Sequence, residues 1–415
     1  MTGPIYRMIL VLLGITVADL WAGGWQLISP LQTPRGGAAA IAYSDKIYVF
    51  GGKSIDNKVL NTVELYTPEN GFWDTTAVPS FTIPRYNASV VIYDNRIYLI
   101  GGRDEEKVFN DVEVYDPEQN MWSSVQKLRN DRESLAAAVF NDRIYAIGGQ
   151  RADYNLVEEI EWYNYGENDW LEAIFNLPYP RAAHFSAVVQ DTFFMFGGYY
   201  YGLTKTSYKC FPGQDGYKWF PGPQMSYGRA YGATAQTDSL IYLLGGETSG
   251  GKTAVTEIYN VYMDSFSIGP SLTSARSGMA GAALGDTVFV IGGFDGIYDQ
   301  PMDLVEIYIE TPTILINPDN GTPVSTGLIK GYPNPFNGLI TFEISVTKSA
   351  EYRLNIFNIR GQHIKSLHSG RLNQGTHYFQ WNGTGISNQY TASGIYVLAL
   401  NSGDYFEKYK IVYVK

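Results

Sequence analysis

The first 329 residues contain one histidine, His184, three places past Arg181, while the preceding arginine of the same kind, Arg132, is followed at once by Glu133. A carboxylate and an imidazole brought to one mouth can take and give protons as general base and acid. Other side chains are of types that hold a ligand: Arg103 and Arg151 as planar forks for a carboxylate, Tyr86, Tyr199 and Tyr231 as aromatic faces, and Glu247 as a second acid. Aromatics mixed with charges suit a sugar or a peptide. Plainer readings stand beside these. His184 fits a half-buried histidine satisfied by its neighbours better than a catalytic one, and Cys210, the single cysteine, fits a small buried hydrophobe better than a reactive thiol.

Several chemistries are disfavoured by composition. Zinc sites need clustered Cys and His ligands, yet His363, His368 and His377 all lie beyond residue 329. A formal net charge of -11 argues against nucleic acid. No metal and no cofactor is expected.

The elements that must position these side chains are set by a repeat. Arg35, Arg85, Arg132, Arg181, Arg229 and Arg276 are each followed sixteen residues later by a glycine pair, at Gly51, Gly101, Gly148, Gly197, Gly245 and Gly292, so the period is 47 to 50 residues. Three residues before each pair stands an aromatic: Tyr48, Tyr98, Tyr145, Phe194, Tyr242 or Phe289. Between arginine and glycines lie a small, apolar run, a polar turn and a β-rich run, as in Ala88 to Tyr93, Asp94-Asn95 and Ile97 to Ile100. A third run alternates Glu and Tyr, as in Val63-Glu64-Leu65-Tyr66. A fourth is marked by Trp73, Trp122, Trp170, Trp219 and Phe266, each ten to twelve residues before the next arginine. Four strands per repeat make a propeller blade, and a period of about 50 residues is that of kelch repeats.

From Trp25 to Glu310 the chain resembles the kelch family, on its double glycines and its repeating Tyr and Trp. Six repeats give six blades. The sixth lacks an aromatic after Tyr308, whereas Trp25 precedes Arg35 by ten residues, so the N-terminal segment is expected to supply the missing strand. The fourth repeat has no Glu before Tyr208 and carries an insertion, Phe211 to Tyr217, so distortion is expected there. The six arginines read as framework, with Glu64, Glu113, Glu161, Glu257 and Glu306 as partners. Copper oxidation of the galactose-oxidase kind, on a kelch ring, needs more imidazoles than one.

Two further segments flank the ring. Arg7, the apolar run Met8 to Val17 and the small residues Ala18 and Ala22 make a secretory signal peptide over 1–23, too short to span a membrane. The propeller is expected over 24–310 and a linker rich in Pro and Asn over 311–329, with no transmembrane segment in the mature chain. Residues 330–415 hold nine Lys and Arg against four Asp and Glu, while residues 1–329 hold twenty-one against thirty-seven. Such a change of sign marks a separate domain. Its short strands, among them Ile340 to Val346 and Gly394 to Asn401, suggest a small Ig-like sandwich. This part resembles the C-terminal sorting domain of type IX secretion cargo (type A) in Bacteroidota. The matching marks are Gly331-Tyr332-Pro333-Asn334-Pro335-Phe336-Asn337, Leu354-Asn355-Ile356-Phe357, Trp381-Asn382-Gly383 and Ser393-Gly394-Ile395-Tyr396. The resemblance implies an outer-membrane translocon as partner and a secreted or cell-surface location in a Gram-negative bacterium.

The sequence therefore leads to an all-β chain, a six-bladed kelch propeller followed by an Ig-like sandwich. Its expected work is binding of a glycan, peptide or surface protein through Tyr86, Glu133, His184, Tyr231, Arg103, Arg151, Tyr199 and Glu247. The alternative, by resemblance to exported six-bladed kelch rings of the N-acetylneuraminate mutarotase type, is a sugar mutarotase. Glu133 and His184 would then move the protons.

Overall fold

The computed structural model describes residues 24–415 apart from 190, 214–215, 238–239, 262–263, 310–326, 347, 359–362, 386–388 and 403–404. The signal peptide expected over 1–23 and most of the expected linker lie outside the described residues. The chain forms two compact units, Met1–Glu310 and Thr311–Lys415. Among the described residues no helix is long and apolar enough to cross a membrane.

The first unit is six four-stranded antiparallel sheets. Blade one comprises Ala39–Tyr43, Lys46–Phe50, Val63–Thr67 and Phe72–Asp74, each strand paired with the next. Blades two to five repeat the plan. Blade six takes three strands from the end of the ring, Ala280–Leu284, Thr287–Ile291 and Val305–Ile309, and its fourth, Gln26–Leu27, from the start. Alternate residues of each inner strand face opposite neighbours, which is why they are small and apolar throughout: Ala39 and Ile41 pack towards blade two, Ala40 and Ala42 towards blade six. Six hydrophobic clusters result, one at each interface between blades.

The spacing of arginine and glycine has a direct cause. The Arg35 guanidinium donates to the Gly51 carbonyl at 2.9 Å, and the same reach is repeated from Arg85, Arg132, Arg181 and Arg229 to the first glycine of their own blades. The second glycine then ties each blade to the next, as in Gly52 N to the Arg85 carbonyl at 3.0 Å, and Gly293 N closes the circle on the Arg35 carbonyl at 2.9 Å. Close approach explains the residue type: a Cβ on Gly51 would lie 2.4 Å from the Arg85 carbonyl oxygen, on backbone with φ +60.

All six arginines are buried. Five meet the carboxylates of the third strand, Arg35 with Glu64, Arg85 with Glu113, Arg132 with Glu161, Arg229 with Glu257 and Arg276 with Glu306, at 2.5 to 2.8 Å. Each carboxylate also accepts from the backbone N–H three residues before the arginine: Gln32, Thr82, Arg129, Ser226 and Thr273.

Blade four departs in register. Its strands Ser207–Gly213 and Gly216–Pro221 are lengthened by the insertion and remain paired, so the extra residues extend a hairpin. Met195, fourteen residues past Arg181, lies opposite Tyr208, whereas Val49, fourteen past Arg35, lies opposite Glu64. Tyr208 thus stands where the other blades keep Glu, and Cys210, paired with Trp219 as Tyr66 is with Trp73, stands where they keep Tyr. The residue three before Arg181 is Pro178, which has no N–H for a carboxylate to accept.

The second unit is a sandwich of two sheets. One holds Gly327–Tyr332, Ile340–Val346 and Gly375–Trp381; the other holds His363–Leu372, Ala350–Asn358, Gly394–Ser402 and Tyr405–Tyr413. Its first strand opens at Gly327, within the stretch that composition marks as linker, because Gly327 to Ile329 pair with Val346 to Ile344. Trp381 is buried between the sheets with Phe336, Tyr396 and Tyr413 around it.

Candidate functional site

The mouth of the ring is built on a closed belt of six backbone hydrogen bonds. Gly37 N–H donates to the Gly278 carbonyl, Gly278 to Tyr231, Tyr231 to Ala183, Ala183 to Ser134, Ser134 to Asn87, and Asn87 back to Gly37, all at 2.7 to 3.0 Å. Each belt residue lies two places past a framework arginine and has left-handed backbone, φ between 51° and 67°. Glycine and asparagine adopt this cheaply. Tyr231, at φ 55°, does not. Left-handed backbone in a bulky residue costs about 1–3 kcal/mol and persists only where the surrounding structure over-determines it, here the closed belt.

Just outside the belt, the residue after each arginine pairs with the residue following the glycine pair. Tyr86 bridges Arg103, Glu133 bridges Gln150, Ala182 bridges Tyr199 and Ala230 bridges Glu247. This brings together side chains from three blades. Glu133 is 7% exposed, accepting from Arg103 Nη1 at 2.9 Å through one oxygen and from Asn87 Nδ2 at 3.0 Å through the other. The Arg103 guanidinium also lies over the Tyr86 ring, 5.7 Å from its centroid. Glu247 accepts from Ser277 Oγ at 2.9 Å. Burial pushes the Tyr231 phenol up to about 12, with the charges of Glu133 and Glu247 and the ring of Tyr199 adding to it. Tyr231 is therefore a neutral phenol within the field of two carboxylates.

His184 is placed differently. It is half-buried as a residue, but both ring nitrogens are shut off from solvent and have no hydrogen-bond partner among the described residues. The ring is wedged between blades three and four: a Cβ on Gly148 would meet its Cε1 at 3.0 Å, and one on Gly198 its Cβ at 2.8 Å. Burial, and secondarily the charge of Arg181, lower its pKa to about 3, so the imidazole is neutral at physiological pH. Arg151 points elsewhere, donating to Asn130 Oδ1 at 2.7 Å and lying 3.6 Å from Glu159. Tyr199 is exposed at the rim. Cys210 is fully buried, and burial raises its thiol to about 12, too high for a nucleophile at neutral pH. Among the described residues no three His, Cys, Asp or Glu side chains come together as a metal would require.

Sequence reasoning missed Ser277 and Ser134. Ser277 shares the offset of Tyr86 and Glu133, one past its arginine, so register alone points to it. Ser134 has no signal of its own, because its left-handed backbone is imposed by the belt.

Fold and mouth together define a closed six-bladed propeller presenting charged and aromatic side chains around its mouth. Sequence comparison gives the class: residues 16–198 match the KLHDC2/KLHL20/DRC7 Kelch-repeats domain, residues 275–309 the Kelch motif, and residues 336–404 the FlgD Ig-like domain. The ring is a kelch-repeat β-propeller, followed by an Ig-like sandwich. Kelch repeat protein M-T8 of Myxoma virus (strain Lausanne) is 28% identical over 43% of this chain and 35% of its own length. Kelch repeat-containing protein kel-10 of Caenorhabditis elegans is 27% identical over 39% of this chain and 31% of its own. The chain thus spans about a third of the length of these curated relatives. Among solved structures, that of YjhT superposes with a TM-score of 0.59 at 17% identity, covering 68% of this chain and 97% of its own, a likeness of fold.

Proposed function

We propose that this is an exported propeller which binds a glycan, a peptide or a protein partner through the mouth of the ring. The observation that carries the reading is the convergence of Tyr86, Arg103, Glu133, Tyr231 and Glu247 from blades two, three and five. Few, fixed polar groups among aromatic faces are what a recognition site needs. Proton transfer for a mutarotase would fall to Glu133 and His184. Glu133 spends both oxygens on Arg103 and Asn87, and His184 offers a neutral imidazole with both nitrogens enclosed, which favours binding over catalysis.

The test is calorimetry of the full chain against glycan and peptide panels. Tyr86→Ala and Glu247→Gln are expected to weaken the bound ligand at least roughly tenfold, or about 1.4 kcal/mol, with melting little changed. Unaltered affinity in both variants would remove the mouth from consideration. If instead the chain interconverts sugar anomers, and Glu133→Ala and His184→Ala each suppress that turnover by orders of magnitude with little further loss in the double variant, the catalytic reading replaces this one.

The C-terminal sandwich is proposed to act as the sorting signal, on the motifs from Gly331 to Asn337 and from Trp381 to Gly383. In a host with a type IX translocon, the full chain is expected on the cell surface or in the medium, and a version ending at residue 329 in the periplasm. Surface delivery of the truncated version would refute the sorting role.

A further inference from the structure

Among the described residues blade four is the one blade whose framework arginine has no carboxylate, and what replaces the carboxylate is aromatic. Arg181 is 1% exposed and lies under Tyr208, its guanidinium carbon 5.2 Å from the ring centroid. Its remaining contacts are neutral oxygens, the Gly197 carbonyl at 2.9 Å and the Thr206 hydroxyl at 3.3 Å. The proline at 178 removes the N–H that would have helped hold a carboxylate there, so the exchange involves two sites. A buried guanidinium without a counter-charge is costly, and it leaves a positive field in an otherwise acidic ring.

Above Arg181 the tyrosines continue to the surface. Tyr208 contacts Tyr179 at 6.4 Å between centroids, Tyr179 contacts Tyr200 at 5.5 Å, and Tyr200 contacts Tyr201 at 5.0 Å. Tyr179 is 48% and Tyr201 84% exposed. Tyr201, on a short loop with left-handed backbone at φ 50°, is the most exposed ring of the four. All four rings are phenols and none of the cluster is aliphatic, so the surface offers flat apolar faces edged by hydroxyls. That chemistry matches a pyranose, whose axial C–H groups form an apolar face and whose hydroxyls form a polar rim. The charge of Arg181, without a carboxylate among the described residues, adds a preference of sign.

We propose that the tyrosine cluster of blade four, backed by Arg181, is a binding platform for an acidic oligosaccharide, the sugar rings stacking on Tyr179 and Tyr201 and their carboxylates drawn by the unpaired cation beneath. The platform lies outside the convergent group at the mouth and does not rest on it. The probe is tetragalacturonate, with its uncharged methyl ester as the comparison, titrated into the full chain at low and moderate salt. Tetragalacturonate is expected to bind at least tenfold more tightly than the ester, and more weakly as salt rises. Tyr201→Ala and Tyr179→Ala should each reduce its affinity about tenfold or more; Tyr201 is so exposed that folding is not at issue. Tyr208→Glu, which returns to Arg181 the partner the other five arginines have, should keep or raise the melting temperature while abolishing binding. Equal binding of the ester, no binding at millimolar concentration, or indifference to Tyr179→Ala and Tyr201→Ala would overturn the inference. Loss of binding in Tyr86→Ala but not in Tyr201→Ala would also overturn it while leaving the mouth reading in place.

Discussion

Removal of residues 24–34 is expected to cost the propeller more than the roughly 3–5 kcal/mol that truncating one buried aromatic costs, and to increase self-association. Trp25 is 9% exposed, its Nε1 donates to the Pro270 carbonyl at 2.9 Å, and its ring lies 5.5 Å from Tyr308, so it packs in the interface between blades five and six. The residues after it sew the chain's beginning to its end: Gln26 and Leu27 pair with Ile307 and Glu306, Ile28 N donates to the Val305 carbonyl and Leu31 N to the Asp303 carbonyl. Deletion therefore removes a tryptophan and a strand together, and it bares the edge of Val305–Ile309. An open edge recruits other chains. Trp25→Ala alone should lose about 3–5 kcal/mol without increasing self-association, since the strand remains. Chemical denaturation followed beside light scattering separates the two effects. Unchanged stability in the deletion would mean that the ring closes without its N-terminal strand.

The repeat is legible because each mark in it has a mechanical task. An arginine and a glycine sixteen residues apart announce one hydrogen bond, the guanidinium reaching the glycine carbonyl of its own blade. The paired Glu and Tyr of the third strand announce a buried ion pair and an aromatic that meets the Trp of the fourth strand. Tyr208 shows where such reading fails. By spacing it looks like the repeating Tyr with its Glu missing; by pairing it occupies the place of the Glu, and only strand register reveals that. The belt is hidden for another reason. Gly37, Asn87 and Gly278 hint at left-handed backbone, but Ser134, Ala183 and Tyr231 are types that avoid it, and their conformation is forced by closing a circle of six hydrogen bonds. Spacing likewise carries Glu133 and His184 to one face of the ring. Whether their polar atoms are free is decided by Arg103, Asn87 and the glycines of two blades, none of which the spacing specifies.

Glu257→Ala is expected to destabilise the propeller by about 3–5 kcal/mol, the scale for removing one partner of a buried ion pair. Arg229 and Glu257 are both fully buried and meet at 2.8 Å, and Glu257 also accepts from Ser226 N at 2.6 Å. The substitution strands a cation and an N–H at once. Desolvation of the pair is already spent in folding, so the loss exceeds what an exposed salt bridge contributes, about 0–1 kcal/mol. Replacing both partners with methionine, which often restores or improves stability when a buried pair is only a pair, should not do so here. Arg229 Nη1 also donates to the carbonyls of Gly245 at 2.8 Å and Val255 at 2.9 Å, and these would lose their donor. Urea denaturation of the single and double variants distinguishes the cases. Full recovery in Glu257→Met with Arg229→Met would show that the arginine acts only as a counter-ion; a double variant as weak as the single one identifies it as the clamp that holds the glycine turn, the task that recurs in blade four, where Arg181 reaches Gly197 at 2.9 Å without any carboxylate.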